Sequence, residues 1–244
     1  MINVIDELQL YFGDDYIIND YITIHQPTIE EIVRYGEQKY FSTAATLSAI
    51  PSDMKAELDD AGYNYMELSD FELFIMLTRT IAPDRTSIWF GENFDFTAFD
   101  VAVNPENQEL ILINQEGVVI DQLIYQLMIN YIRKLHGIVP KVEKAQSEFT
   151  RQILIQEARE KLAIMKDKPY ESVLLPLISA MTNSAGFKYN ASQVRNVKLY
   201  EFMDSVKRIQ CIAHASSLIQ GCYSGNVDAK KINKKDLDWM RKLK

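Results

Sequence analysis

Two adjacent carboxylates, Asp14 and Asp15, have the type and setting to support metal-dependent catalysis. They follow a glycine and lie between aromatic residues in the stretch YFGDDY, a pattern with which template-directed polymerases hold magnesium. Two-metal catalysis needs carboxylates that converge from separate elements, yet only 13 residues precede Asp14. Glycine followed by aspartate is also common turn chemistry. We therefore interpret Gly13, Asp14 and Asp15 as the turn of a hairpin.

Nucleophiles and metal ligands give no stronger candidate. The histidines do not occur in HExxH spacing. Cys211, His214 and Cys222 supply three donors on one predicted helix, whereas structural zinc needs four that converge. The sequence has no GxSxG motif, and its nine glycines form neither GxGxxG nor GxxxxGK[ST]. We therefore expect no catalytic residue, no metal and no cofactor, and a protein that is not an enzyme.

The C-terminal segment has residues that could contact a polyanion. Two lysine pairs three residues apart could bind phosphates, and a nearby tryptophan could stack on a base. These residues are Lys230, Lys231, Lys234, Lys235 and Trp239. Aspartates interrupt the basic segment, and apolar residues among them would pack on the rest of the chain. Nucleic-acid contact is therefore the alternative to a packed terminal helix with a basic outer face.

The elements that must position these residues are mixed in the N-terminal part. The first 26 residues alternate between β-branched or aromatic and polar types, which predicts strand, turn and strand. Capping boxes at Thr28 and Ser69, and a helix start at Pro51, predict short helices between residues 28 and 82. Residues 86–120 predict a small antiparallel sheet. Its predicted strands cover 87–90, 99–103, 110–113 and 118–120.

From Asp121 onward the spacing of apolar residues is helical. The predicted helices cover 121–137, 148–167, 172–183 and 197–222. The fold class is therefore α+β and mainly α-helical, with a small antiparallel sheet and short helices in the N-terminal part and a helical C-terminal part. A boundary near residue 140 would separate an acidic α+β lobe, 1–140, from a helical lobe with a basic tail, 141–244. One continuous domain stays open.

Composition and charge limit the class of protein. The 244 residues are 47% hydrophobic and 25% charged, which is ordinary for a folded chain. No apolar run reaches the ~20 residues that a bilayer crossing needs, and acids stand where a signal peptide has basic residues. We expect a soluble intracellular protein with no membrane contact. Residues 1–100 have a net charge of −14 and residues 226–244 a net charge of +4, so opposite ends could attract copies of the chain or a charged partner.

Four segments together resemble a known family. They are IHQPTIEEI at 24–32, KPYES at 168–172, FMDSVKRIQ at 202–210 and GNVDAKKI at 225–232. The family is encoded in the tail-morphogenesis gene clusters of phages and prophages of Gram-positive bacteria, and its members are described as tail assembly chaperones or phage structural proteins. The resemblance covers most of the chain but contains no catalytic motif.

The resemblance implies a non-enzymatic protein that acts through protein–protein contacts. It would hold the long helical tape-measure protein soluble while tail-tube subunits polymerise around it, in the cytoplasm of the bacterial host. A groove between helices can bind an amphipathic helix, and the helix at 197–222 has an apolar stripe that forms either one wall of such a groove or part of the core. The stripe consists of Leu199, Phe202, Met203, Val206 and Ile209.

Two other functions stay open. One is a structural component of the virion, such as a connector, baseplate or tail subunit, whose copies form a homo-oligomer through their opposite charges. The other is a nucleic-acid-associated phage protein that uses the C-terminal lysines. The expected partner is the tape-measure or tail-tube protein.

Overall fold

Residues 5–243 are described by a computed structural model, and helices predominate among them. The helices are α1 (Glu7–Phe12), α2 (Ile29–Tyr35), α3 (Glu37–Ser48), α4 (Lys55–Asp60), α5 (Asp70–Thr78), α6 (Ser87–Phe90), α7 (Gln122–His136), α8 (Glu148–Lys166), α9 (Leu174–Thr182), α10 (Leu199–Tyr223) and α11 (Lys234–Leu237). The strands are β1 (Tyr16–Ile17), β2 (Thr23–Ile24), β3 (Asp100–Val103), β4 (Leu110–Ile113) and β5 (Val119–Ile120).

The strands form two antiparallel sheets in the N-terminal half. β1 pairs with β2, and β3, β4 and β5 form a three-stranded sheet in that order. In the larger sheet Val101 lies opposite Leu112, which lies opposite Ile120. Leu112 and Ile120 are fully buried, so one face of the sheet covers the core. The predicted fold class, mainly α-helical with small antiparallel sheets in the N-terminal part, is confirmed.

The predicted N-terminal hairpin is wrong in its first strand and in its turn at Gly13, Asp14 and Asp15. Residues 7–12 form α1, and the first four residues of the chain lie outside the described range. The Asp6 side chain accepts a hydrogen bond from the Leu8 N–H, and Gly13 ends the helix with a φ of 80°, which suits glycine. These two caps and the burial of Leu10 outweigh the weak alternation. The observed hairpin joins β1 to β2, after Asp14 and Asp15.

The predicted strand at 87–90 is also wrong, because these residues form α6. A 3₁₀ turn that begins at Pro83 leads into it, the Trp89 N–H donates to the Thr86 carbonyl at 3.0 Å, and Gly91 ends it with a φ of 82°. Trp89 is 1% exposed. Its aromatic side chain serves the core, and aromatic content alone does not separate a buried helical turn from a strand.

The remaining boundaries follow the local signals. Thr28 and Ser69 form both hydrogen bonds of their capping boxes at the start of α2 and α5. The Asp121 side chain caps α7, and Gly137 ends that helix in the left-handed conformation. α8, α9 and α10 begin and end within two residues of their predicted limits. Caps and hydrophobic spacing therefore set most of the helices.

One main core joins both parts of the chain. Met128 and Ile132 of α7 and Phe202 of α10 are fully buried in it. The segment before α10 is hydrogen-bonded to the segment before α2, since the Leu199 N–H donates to the Pro27 carbonyl at 3.1 Å. A second, small cluster of buried residues lies under α8. It consists of Leu58, Tyr65, Leu73 and Ile155.

Candidate interaction surfaces

The predicted apolar stripe on α10 is mostly part of the main core. Leu199, Phe202 and Val206 are buried there, and Met203 and Ile209 are half-buried against the same cluster. A side chain that already packs in the core has little surface to offer a partner. Partner binding by this stripe stays a prediction, and other parts of the surface have more exposed apolar area.

The C-terminal lysines face solvent on an anchored segment. The Arg208 guanidinium donates to the carbonyls of Trp239 and Arg241, and Lys242 forms an ion pair with Glu7 at 2.6 Å. Lys242 and Lys134 hold the pKa of the Glu7 carboxyl below its ordinary value. The lysines of the two pairs are exposed, and none of them forms an ion pair within residues 5–243. They are Lys230, Lys231, Lys234 and Lys235. Trp239 is 46% exposed beside them.

Helix α8 is fastened to the body through its first three turns. Ile155 is fully buried against residues near α4 and α5. Asp59 accepts ion pairs from Arg151 at 3.3 Å and from Arg159 at 2.8 Å, and Arg159 also reaches Asp60. Hydrogen bonding to Glu148 is the largest cause that raises the pKa of the Arg151 guanidinium. The inner face of α8 is thus held by one isoleucine and a network of charges.

C-terminal to these contacts, no other part of the described chain covers the end of α8 and the residues that follow it. Every residue from 160 to 171, which we call the α8 overhang, is exposed. Leu162 and Met165 lie seven and ten residues after Ile155 and therefore on the same face of the helix, yet they are 42% and 68% exposed. The reason is length: α4 has 6 residues and α8 has 19, or about 9 Å against about 28 Å of helix. The apolar stripe of α8 therefore extends beyond the end of α4.

Sequence reasoning missed the overhang, although one signal was present. The spacing of Ile155, Leu162 and Met165 marks an apolar stripe on a long helix. Only the structure shows that the element facing this stripe is short.

The second aspartate of the YFGDDY stretch, Asp15, serves a structural contact. The Asp15 carboxylate lies 2.7 Å from Nδ1 of His25, whose Nε2 lies 3.3 Å from the Glu31 carboxylate. This chain of contacts joins the β1–β2 hairpin to the capping box of α2. Within residues 5–243 no group of three or more histidine, cysteine or acidic side chains is placed to hold a metal ion. Within the same range, neither Cys211, which is buried, nor Cys222 belongs to such a group.

Fold and surface together define a mainly helical α+β protein that exposes an apolar stripe near the end of α8 and a cluster of lysines in its C-terminal segment. None of its helices in the described range is long and apolar enough to cross a bilayer. Residues 167–244 match the family model described as the YomV second domain, a phage-derived family. The match covers about a third of the chain, begins inside the α8 overhang and supports a phage protein. No curated protein and no solved structure matches the chain.

Proposed function

We propose that this protein is a non-enzymatic tail assembly protein of a phage, and that it holds the tape-measure protein soluble while the tail tube forms around it. The phage-derived match at 167–244 supports the phage setting, and the resemblance of the four segments supports the tail. The α8 overhang carries the proposal. The protein would act in the cytoplasm of the bacterial host, without a cofactor.

The overhang suits a helical partner for a physical reason. Leu162 and Met165 extend a stripe whose earlier member, Ile155, already packs against another part of the chain. A partner helix laid alongside would continue that packing, since anchors three, four or seven residues apart are how grooves bind helices. Burying the exposed part of each of these side chains contributes up to about 1.5–3 kcal/mol. Ile164, which is 60% exposed, lies nine residues after Ile155 and therefore on the opposite face of α8.

Co-expression with the tape-measure protein of the same phage tests the proposal. We expect a soluble complex, visible by size-exclusion chromatography with light scattering, with a partner that precipitates when expressed alone. The double variant Leu162→Glu/Met165→Glu should lose the complex, because two charges in the contact cannot be buried unpaired. The matched control is Leu8→Glu/Phe12→Glu on α1, where both side chains are 67% and 71% exposed, and it should keep the complex.

If the α8 double variant still forms the soluble complex, the contact with the tape-measure protein lies on another surface. A partner that stays insoluble in the presence of the wild-type chain would remove the chaperone function itself.

A structural component of the virion is the second candidate, and the unpaired lysines favour it because they can bind a neighbouring subunit. Mass spectrometry of purified particles separates the two functions. A chaperone leaves the particle after assembly, whereas a connector, baseplate or tail subunit stays in it at a fixed copy number.

A further inference from the structure

A long stretch around the three-stranded sheet has acidic residues and no basic ones. Residues 86–132 contain seven acids and no lysine, arginine or histidine. None of the seven forms an ion pair in the described part of the chain. They are Glu92, Asp95, Asp100, Glu106, Glu109, Glu116 and Asp121. Like charges that no cation offsets produce a negative potential on this side of the molecule.

A cavity of about 470 Å³ opens within this stretch. Asp95 and Glu116 line it together with the aromatic side chains of Tyr21, Phe90 and Phe94, and no basic residue is among its lining residues. Tyr21 is 66% exposed. Carboxylates attract a cation, and the faces of aromatic rings within about 6 Å add a further attraction. The lining therefore fits the ammonium group of a lysine.

The two carboxylates are free to take such a group. One oxygen of Asp95 accepts hydrogen bonds from the backbone and the hydroxyl of Thr97 at 2.8 Å and 2.7 Å, which leaves the second oxygen. The Glu116 carboxylate has no hydrogen-bond or ion-pair partner within residues 5–243. A bound lysine would thus find acceptors without breaking an ion pair.

The same chain supplies a ligand of this chemistry. Lys230, Lys231, Lys234 and Lys235 are exposed and unpaired in the described structure. No lysine of the same chain, within residues 5–243, is among the residues that line the cavity, so these side chains do not fill the cavity of their own chain. We propose that the acidic aromatic cavity binds the Lys230–Lys235 segment of a second copy. Because two different surfaces meet, the contact is head to tail and can repeat from copy to copy.

This inference is independent of the tape-measure contact, since it needs no partner protein, and it deepens the second candidate function, in which the same lysines bind a neighbouring subunit. The test is sedimentation velocity of the purified full chain over a range of concentrations. Self-association should be present at about 0.1 M salt and lost at about 1 M, as the Debye length falls from about 10 Å to about 3 Å.

Two variants reverse the two sides of the contact. Asp95→Lys/Glu116→Lys changes the two carboxylates that line the cavity, and Lys230→Glu/Lys231→Glu/Lys234→Glu/Lys235→Glu changes the lysine side. Each should raise the apparent dissociation constant by about tenfold or more, because attraction becomes repulsion. An equimolar mixture of the two should associate again, since each variant then offers the charge that the other needs.

Matched controls carry the same charge change elsewhere. Glu57→Lys/Glu157→Lys replaces two exposed acids outside the stretch, and the control for the lysine side replaces four exposed basic residues outside the α8 overhang with glutamate. Those four are Arg79, Lys141, Lys144 and Lys188. Both controls should keep the wild-type dissociation constant within about threefold if the contact is local. Circular dichroism checks folding, and Glu116→Gln gives a milder variant should the double reversal fail to fold.

A chain that stays monomeric at about 0.1 M salt overturns the proposal. So do controls that weaken association as much as the reversals do, and so does a mixture of the two reversals that fails to associate. A failure of this kind leaves the tape-measure experiment unaffected, because the variants of that experiment change neither the cavity nor the Lys230–Lys235 segment.

Discussion

At the scale of single residues, the surroundings of His136 favour its neutral form. Its Nδ1 donates to the Ile132 carbonyl at 2.7 Å, so its Nε2 accepts from the Tyr40 hydroxyl at 2.8 Å. The rings of Tyr40, Phe41 and Trp89 lie around it. Burial among these rings lowers the pKa of His136 to about 4.

This pKa predicts a loss of stability in mild acid. Unfolded His136 takes up a proton below its ordinary pKa of 6.5, and the folded residue does so only near 4. The free energy of unfolding should therefore fall as the pH drops from about 6.5 towards 4. The loss between pH 7 and pH 5 from this residue is about 2 kcal/mol. Urea denaturation of wild type and His136→Gln at both pH values measures it.

The variant should lose about 2 kcal/mol less than wild type over that interval. Equal losses in the two proteins would show that His136 is not the group that titrates. The comparison within each protein cancels any constant cost of the substitution.

At the scale of elements, α8 is a long helix held by a short one. Its contact with α4 combines a buried isoleucine with the ion pairs of Asp59. Surface ion pairs contribute little each, whereas a buried side chain contributes more. Ile155 should therefore determine how firmly α8 lies on the body.

Replacing this isoleucine should loosen α8 selectively. Ile155→Ala removes a fully buried side chain and should cost about 2–5 kcal/mol of the local stability. Hydrogen exchange measured by mass spectrometry should rise throughout α8 and stay slow in α7. The control is Ile164→Ala on the same helix, a side chain that is 60% exposed, which should change stability by less than about 0.5 kcal/mol. Equal hydrogen exchange of α8 in the two variants would contradict the role of Ile155 in holding α8 on the rest of the protein.

At the scale of the whole molecule, the C-terminal part belongs to the same core as the N-terminal part. Phe202 is fully buried in a cluster with Ile24, Ile29 and Met128. Backbone hydrogen bonds also join the segments before α2 and α10. A chain with a shared core should unfold as one unit.

We therefore expect one cooperative thermal transition for residues on both sides of position 140. Phe202→Ala should lower the free energy of unfolding by about 3–5 kcal/mol and shift the whole transition, in far-ultraviolet circular dichroism and in tryptophan fluorescence alike. Trp89 reports on the N-terminal part when the fluorescence is measured in a Trp239→Phe background, because Trp239 is the other tryptophan of the chain. Two separate transitions, with only the second moved by the variant, would instead favour the predicted lobes 1–140 and 141–244.

Local signals were enough for most elements of this chain. Thr28 and Ser69 are caps whose hydrogen bonds involve residues three positions away, so the sequence alone predicts them. The errors at 7–12 and 87–90 have one cause. Both are short segments with apolar or aromatic residues, for which period cannot separate helix from strand, and packing of Leu10 and Trp89 decided the outcome.

The sequence by itself determined where the longer helices lie, which of their faces are apolar and how charge is distributed along the chain, because these depend on neighbours along the chain. Only the tertiary structure decided which apolar faces are covered. The apolar stripe of α10 at Leu199 and Phe202 is buried. The apolar stripe of α8, which begins at Ile155, extends beyond the end of α4 and is exposed at Met165. The physical reason is that coverage depends on the length and position of an element distant in sequence. Helical period carries no information about that partner.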